Sequence, residues 1–382
     1  MSLGDLMNQL ADEIEPRALP SASDIRSTGD RLRQRSRRRV AAAAAAAALV
    51  AVAATLAIAR PDTPTPAPTG PIDGWRVTRT VEVPGSGSIF YGDRSLWVVD
   101  NDDQGTDADG VPTGDLYQID PESGEVLDRL PGAVGGWPSV GAGAVWLSTP
   151  SLEALTRVDL DSHEISRVPT STPERHPNGT AVAGGYLWVS QPESGDLVQL
   201  DPKTYQPLQR IHLGDIDKGT APRSIVTDGD DVWASDDNGL VTRVDGRAGA
   251  RISRLQLPMR QPLLDVLDTS RHILYAHELR SNVLIEIDLD QEGRTWQGRE
   301  LTVTRSVDGM LAGALIAGDS LWVATLNPDE LLRIDPETFE VTGHVPLPGI
   351  NHESNVPLAI ATADNRLWLR IEDKVLELES DR

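Results

Sequence analysis

Cysteine is absent from the 382 residues, lysine supplies only 3 of the 35 basic side chains, and phenylalanine occurs twice. Without a thiol there is no disulfide framework, Cys-ligated zinc, Cys nucleophile or iron–sulfur cluster. Positive charge is scarce as well: 58 acids stand against 35 bases, a net of −23. Nucleic-acid affinity rests on Lys and Arg neutralising phosphates, so the balance argues against such a partner. No HExxH, GxSxG or P-loop motif is present, nor GxGxxG ahead of a helix, and the chemistries those motifs carry drop out. The arginine and alanine bias matches high-GC bacterial coding.

What is present is unevenly placed. Residues 1–60 hold 6 acids and 9 arginines, which leaves 52 acids against 26 bases in residues 61–382. The sign changes across Val40 to Ala59, a stretch of 13 Ala, 3 Val, 2 Leu, one Ile and one Thr. At about 1.5 Å per residue it spans about 30 Å, the hydrocarbon thickness of a bilayer. Arg31, Arg33, Arg35, Arg37, Arg38 and Arg39 precede it, and flanking positive charge places the N-terminus in the cytoplasm. Residues 1–39 are thus expected in the cytoplasm, 40–59 as a transmembrane helix, and the rest outside the cell. Ala57-Ile58-Ala59 also fits a signal-peptidase site, and Ser36-Arg37-Arg38 faintly resembles a twin-arginine signal. In that alternative the C-terminal part is secreted. An upstream segment of 39 residues exceeds an ordinary n-region and favours the anchor. Residues 60–71 carry Pro61, Pro64, Pro66, Pro68 and Pro71, an extended stalk rising about 3.1 Å per residue.

Residues 72–382 are repetitive. An apolar–aromatic–apolar (or small) triplet recurs at Trp97, Trp146, Trp188, Trp233, Tyr275, Trp322 and Trp368, at spacings of 49, 42, 45, 42, 47 and 46 residues. An apolar–Asp pair follows at Asp120, Asp159, Asp201, Asp245, Asp288 and Asp335, with Glu379 in the last unit. The sixth unit predicts strands over Leu311–Ile316, Ser320–Thr325, Glu330–Ile334 and Glu340–Leu347. A four-stranded repeat of about 40–45 residues is a propeller blade. Strands packed between blades are buried on both faces, hence Leu-Trp-Val in place of alternation. The seventh unit lacks a fourth strand, while an orphan strand, Trp75 to Val83, precedes the first. The expected fold is an all-β seven-bladed β-propeller of four-stranded blades whose N-terminal strand completes the last blade.

These Leu-Trp-Val and Ile-Asp-Pro-Glu-Ser/Thr units resemble the NHL, YVTN and virginiamycin B lyase-like propellers along all of residues 72–382. The resemblance implies fold far more than function. Likeness to the lyase would imply a His and a Glu as base and acid on the ligand face, for which His277 with Glu278 or His352 with Glu353 stand available. Leu3, Leu6, Met7, Leu10 and Ile14 form an apolar helical stripe. With the Arg run they make residues 1–60 resemble actinobacterial membrane proteins associated with extracytoplasmic-function sigma factors. That resemblance implies a cytoplasmic protein partner for residues 1–39; the plain alternative is a disordered or membrane-surface tail.

The recurring aspartates read as turn chemistry: Asp bonds the backbone ahead, Pro presets φ, and Gly supplies a left-handed position. His163 takes that Gly-equivalent position and is expected to be structural. The first unit carries an acidic insertion with Asp100, Asp102, Asp103, Asp107 and Asp109 around Gly105. Calcium takes about six to eight oxygens, so the insertion reads either as a calcium loop or as a solvated acidic loop; Val111 stands where an EF-hand has its bidentate Glu. No other cofactor is implied. Propellers present ligand-binding loops on one face, between the second and third strands and ahead of each innermost strand. Those loops carry Arg175, His176, Lys218, Arg223, Arg260, His277, Glu278, Arg280, His352, Glu353 and Asn355. Function is therefore expected to be ligand or protein binding by an anchored extracytoplasmic module, with an exported lyase- or lactonase-type enzyme as the alternative.

Overall fold

The computed structural model describes residues 75–380, apart from 86, 101–112, 150–151, 171–175, 279, 291–295, 297, 304–308, 348–358, 364–365 and 372. The chain divides into two units, Met1–Thr65 and Pro66–Arg382, and every described residue belongs to the second. The expected cytoplasmic segment, span and stalk lie outside the described residues. Among those described, no helix is long and apolar enough to cross a membrane.

Seven four-stranded antiparallel sheets form the structure. Blade one comprises Ile89–Gly92, Ser95–Asp100, Asp115–Ile119 and Val126–Pro131, and blade two Gly136–Gly141, Ala144–Thr149, Ala154–Asp159 and Ile165–Pro169. Blade three is Thr180–Ala183, Tyr186–Gln191, Asp196–Leu200 and Pro207–His212, and blade four Ile225–Thr227, Asp231–Ser235, Leu240–Asp245 and Arg251–Gln256. Blade five is Pro262–Asp268, Ile273–Glu278, Val283–Asp288 and Glu300–Thr302, and blade six Met310–Ala317, Ser320–Leu326, Glu330–Asp335 and Glu340–Pro346. Blade seven takes Ala359–Ala363, Arg366–Ile371 and Lys374–Ser380 from one end of the chain and Trp75–Glu82 from the other. The expected strands of the sixth unit are all present, the first one residue longer at each end.

Burial explains the triplets. Every residue of Ala144–Thr149 is buried, whereas the outermost strand Arg251–Gln256 is almost wholly exposed. The cores lie between blades: Trp97, Val99 and Leu116 of blade one pack with Val145, Leu147 and Val158 of blade two. Neighbouring innermost strands touch all the way round, so the ring is closed.

Closure is as the orphan strand predicted. Val81 pairs with Val375 and Val77 with Leu378, and Val83 N–H donates to Asp373 O at 2.8 Å. Arg370, fully buried, donates to the carbonyls of Val83 at 2.8 Å and Pro84 at 2.9 Å, and to that of Gly85. A buried guanidinium needs such acceptors, since an unpaired one would carry its full desolvation cost.

Candidate ligand face

Two faces of the ring differ in chemistry. The lower carries the turns between first and second strands and between third and fourth. There the aspartates do what the sequence implied. Asp335 Oδ1 accepts from the backbone of Glu337 at 2.7 Å and Thr338 at 3.2 Å. Asp120, Asp159, Asp201 and Asp245 repeat the geometry. These backbone donors hold all five carboxyls below the usual range. His163 holds φ 60°, in the left-handed region where Gly124 of blade one sits at φ 71°, and its Nδ1 lies 2.6 Å from Asp128 Oδ2. These groups are structural.

The upper face carries the loops into each innermost strand and those joining second to third strands. It brings together several of the expected residues along blades three to five. Arg223 Nε lies 2.6 Å from Asp237 Oδ1. Asn238 donates through Nδ2 to Lys218 O at 2.8 Å and accepts at Oδ1 from Arg260 Nη2 at 3.1 Å. Arg260 N–H in turn donates to Glu278 Oε1 at 3.2 Å. Lys218 ends the short 3-10 turn Ile216–Lys218, closed by Gly219 at φ 68°, and pairs with Asp215 at 2.6 Å. That contact lowers the Asp215 carboxyl and raises the Lys218 ammonium. His176 Nδ1 stands 3.4 Å from Glu193.

The arc continues towards blade two. Asn178 Nδ2 donates to Arg223 O at 3.0 Å, and Thr180 Oγ1 donates to Trp137 O at 2.8 Å. Trp137 is 47 % exposed and holds a left-handed φ of 48°. The ladder jumps from Gly136 to Ser139 at this point, so Trp137 and Pro138 bulge out of it. A bulky residue in that conformation is strained, and such strain collects at functional sites. Sequence reasoning missed Trp137 because it belongs to no repeated triplet; its signal was a Trp-Pro pair directly after two glycines.

His277 departs from the expected role. It sits in the second strand of blade five and is 3 % exposed, with Nδ1 2.7 Å from Asp265 Oδ2. Asp265 occupies a bulge between Leu264 and Val266. Burial works to lower the imidazole pKa, but the Asp265 charge and hydrogen bond together outweigh it, and the net shift is upward. Neighbouring strand residues point to opposite faces: His277 bonds inward to Asp265, and Glu278 bonds to the Arg260 backbone. The two are not assembled as an acid–base pair. Asp236, buried in the loop beside Asp237, accepts from Asn238 and Leu240 N–H, and burial raises its pKa.

Arg280 lies in the turn after blade five's second strand with φ 61° and joins none of these bonds. Arg175, His352, Glu353 and Asn355 lie outside the described residues, as do Asp102, Asp103, Asp107 and Asp109 of the acidic insertion. Asp100 is described at the end of its strand, its carboxylate against Gly85. Among the described residues no group of three or more His, Asp or Glu is placed to hold a metal ion.

No protein-family model matches the chain, and no curated protein does. Solved structures do match in shape. Virginiamycin B lyase from Staphylococcus aureus superposes with a TM-score of 0.61 at 14% identity, over 80% of this chain and 99% of that one. A catalytically inactive variant of that lyase with quinupristin gives 0.62 at 14% identity over the same shares. The β-propeller domain of Myceliophteria thermophila Cps50 (Swd1) gives 0.61 at 13% identity, again over 80% and 99%. One is an enzyme and one a propeller domain of another kind. At such identities the likeness establishes the propeller fold alone.

Proposed function

We propose that the chain is a membrane-anchored, extracytoplasmic recognition module that binds a ligand or protein through its upper face. In this reading residues 40–59 anchor it, and residues 1–39 engage a cytoplasmic partner linked to sigma-factor signalling. The carrying observation is the arc that ties Asp237 to Arg223 and Asn238 to both Lys218 and Arg260, with Glu278 on the Arg260 backbone. Loops from blades three, four and five are thereby fixed before any partner arrives, which lowers the ordering cost of binding. Strained, exposed Trp137 adds an apolar contact beside them.

A photo-crosslinker at Trp137 in intact cells tests the assignment. Adducts are expected with the native arc and lost in Arg260→Gln with Arg223→Gln, measured below the melting transition of the variant. Adducts that persist in the double variant would sink it. Protease added to intact cells should digest the propeller; protection until lysis would remove the anchor. The alternative, an exported lyase- or lactonase-type enzyme, draws on the buried His277–Asp265 pair. It predicts a turnover abolished by His277→Gln or by EDTA.

A further inference from the structure

We propose a phosphomonoester-binding site on the outer rim of the ring, where blades three and four meet, held by Arg251 and Arg254 of blade four's outermost strand. It stands independently of the upper-face reading.

Directly paired residues of an antiparallel ladder share a face of the sheet. Arg251 pairs with Val244 and Arg254 with Thr242. Val244 and Thr242 are two positions apart and point the same way. The arginines are three apart, and a regular strand would send them to opposite faces. The bulge at Ile252 absorbs the extra residue. Both guanidiniums therefore leave the sheet on the side where Val244 shares a core with Trp188 and Leu197 of blade three. Arg251 reaches across that junction and donates through Nη2 to His212 O of blade three's outermost strand. Burial, and then the Arg254 charge beside it, lower the Arg251 pKa; a guanidinium stays protonated regardless.

The other blades show what is unusual here. The ladder position of Arg254 is held by Arg129 in blade one, Arg167 in blade two and Arg210 in blade three. All three are engaged within the fold. Arg129 pairs with Asp115 at 2.5 Å and Arg210 with Asp196 at 3.8 Å, while Arg167 donates to Thr156 Oγ1 and to Gly132 O. Asp115 and Asp196 each open the third strand of their blade. Blade four has Leu240 at that position, and the charge that would neutralise Arg254 is gone. Arg251 changes a second position, held by Val126, Ile165, Pro207, Val341 and Val77 in blades one, two, three, six and seven. Both arginines are exposed, and among the described residues neither makes an ion pair. Arg243, Arg271 and Arg299 of the same acidic domain all find carboxylates.

Two like charges on one face, with no carboxylate between them, select an anion, and their number selects its class. A phosphomonoester carries about −1.5 to −2 at neutral pH and presents three acceptor oxygens, which the planar guanidinium fork engages two at a time. A carboxylate, a phosphodiester or a sulfate ester carries a single charge and leaves one arginine uncompensated. Arg254 has all its donors available, and Arg251 keeps those not given to His212 O. Ile252, at the bulge between them, is 49 % exposed and offers an apolar contact to the esterified group.

The test titrates the full chain by calorimetry at low salt with phenyl phosphate and with benzoate, which keeps the ring but carries one charge. Phenyl phosphate should bind saturably and benzoate about 10-fold more weakly. Arg251→Gln and Arg254→Gln should each weaken phenyl phosphate about 10-fold. Leu240→Asp, which restores the aspartate of blades one and three, should weaken it as much with both arginines in place. Lys203→Gln, at an exposed turn of blade three, should leave the affinity unchanged. The arginine run over residues 31–39 is common to every variant, so differences between variants report on the rim. Flotation with phosphatidylcholine vesicles, with and without phosphatidic acid, assigns the source of the phosphate. Retention that requires phosphatidic acid and falls in Arg254→Gln places it on a lipid; phenyl phosphate binding without such retention places it on a soluble ester. No saturable binding, equal binding of benzoate, or affinity undiminished in either arginine variant or in Leu240→Asp would each overturn the site.

Discussion

The lower face is built from turns that satisfy themselves, and the upper face from loops that satisfy one another. An Asp turn such as Asp335 to Thr338 closes within four residues. The bonds of the upper arc join Arg260 to Asn238, Asn238 to Lys218 and Asn178 to Arg223, across 22, 20 and 45 positions of chain. Local bonding makes a turn repeatable, because its closure rests on its own four residues. Remote bonding makes a surface whose shape depends on several blades at once, which is what specific recognition requires. The lower face departs from self-sufficiency at its blade junctions: Arg366 donates to Pro121 O, His163 meets Asp128, Trp188 donates to Gly246 O, and Arg299 donates to Pro336 O and Glu337 O.

The sharpest break of this contrast is at the upper clasp of blade seven. Deleting residues 72–84 should abolish cooperative unfolding, because Lys374–Ser380 loses its only outer neighbour. Arg370→Met should cost about 3 kcal/mol by stranding the carbonyls of Val83, Pro84 and Gly85, read as a lowered urea midpoint at constant slope. An unchanged midpoint would mean that the clasp is not what closes the ring. Next comes Gly246→Ala on the lower face. Its Cβ meets backbone at 2.1 Å, and forced overpacking of this kind costs about 2 kcal/mol. A neutral result would show that the blade three–four junction is looser than the turns around it.

Asn238→Ala should lose about 1 kcal/mol of stability yet remove most of any upper-face binding. Equal loss of both would reduce the arc to scaffolding. Smaller still are the pH effects, which differ in sign between the faces. His277 has a raised folded pKa, so its contribution is fully present below about pH 6.5 and lost as pH rises through the folded value. The turn aspartates have depressed values. Their contribution is present above about pH 4 and lost as pH falls through the folded values. Denaturation midpoints across pH should lose their neutral-range slope in His277→Gln and their acid-range slope in an Asp120, Asp201, Asp245 and Asp335→Asn combination. Slopes unaffected by these changes would contradict the assignments.

The same contrast explains what was legible beforehand. Seven blades, the split seventh blade and the Asp turns could all be read because each rests on residues close in sequence or repeated at fixed intervals. The upper face was legible only as a set of loops. Lys218, Arg223, Arg260 and Glu278 could be assigned to loops, but Asp237 and Asn238, which join them, carry no motif. His277 was grouped with Glu278 because the two are adjacent; the bulge at Asp265 that turns it inward leaves no trace in hydropathy.

The divided seventh blade also has a consequence for biosynthesis. Trp75–Glu82 emerges from the ribosome early, yet its partner Lys374–Ser380 is made some three hundred residues later. Throughout translation and any export that follows, both rims of the growing array remain unpaired. An unpaired rim is a template for strands of other chains until its own partner arrives. Crowded expression should therefore yield intermolecular strand swaps at the seventh blade before it yields loss of any single blade.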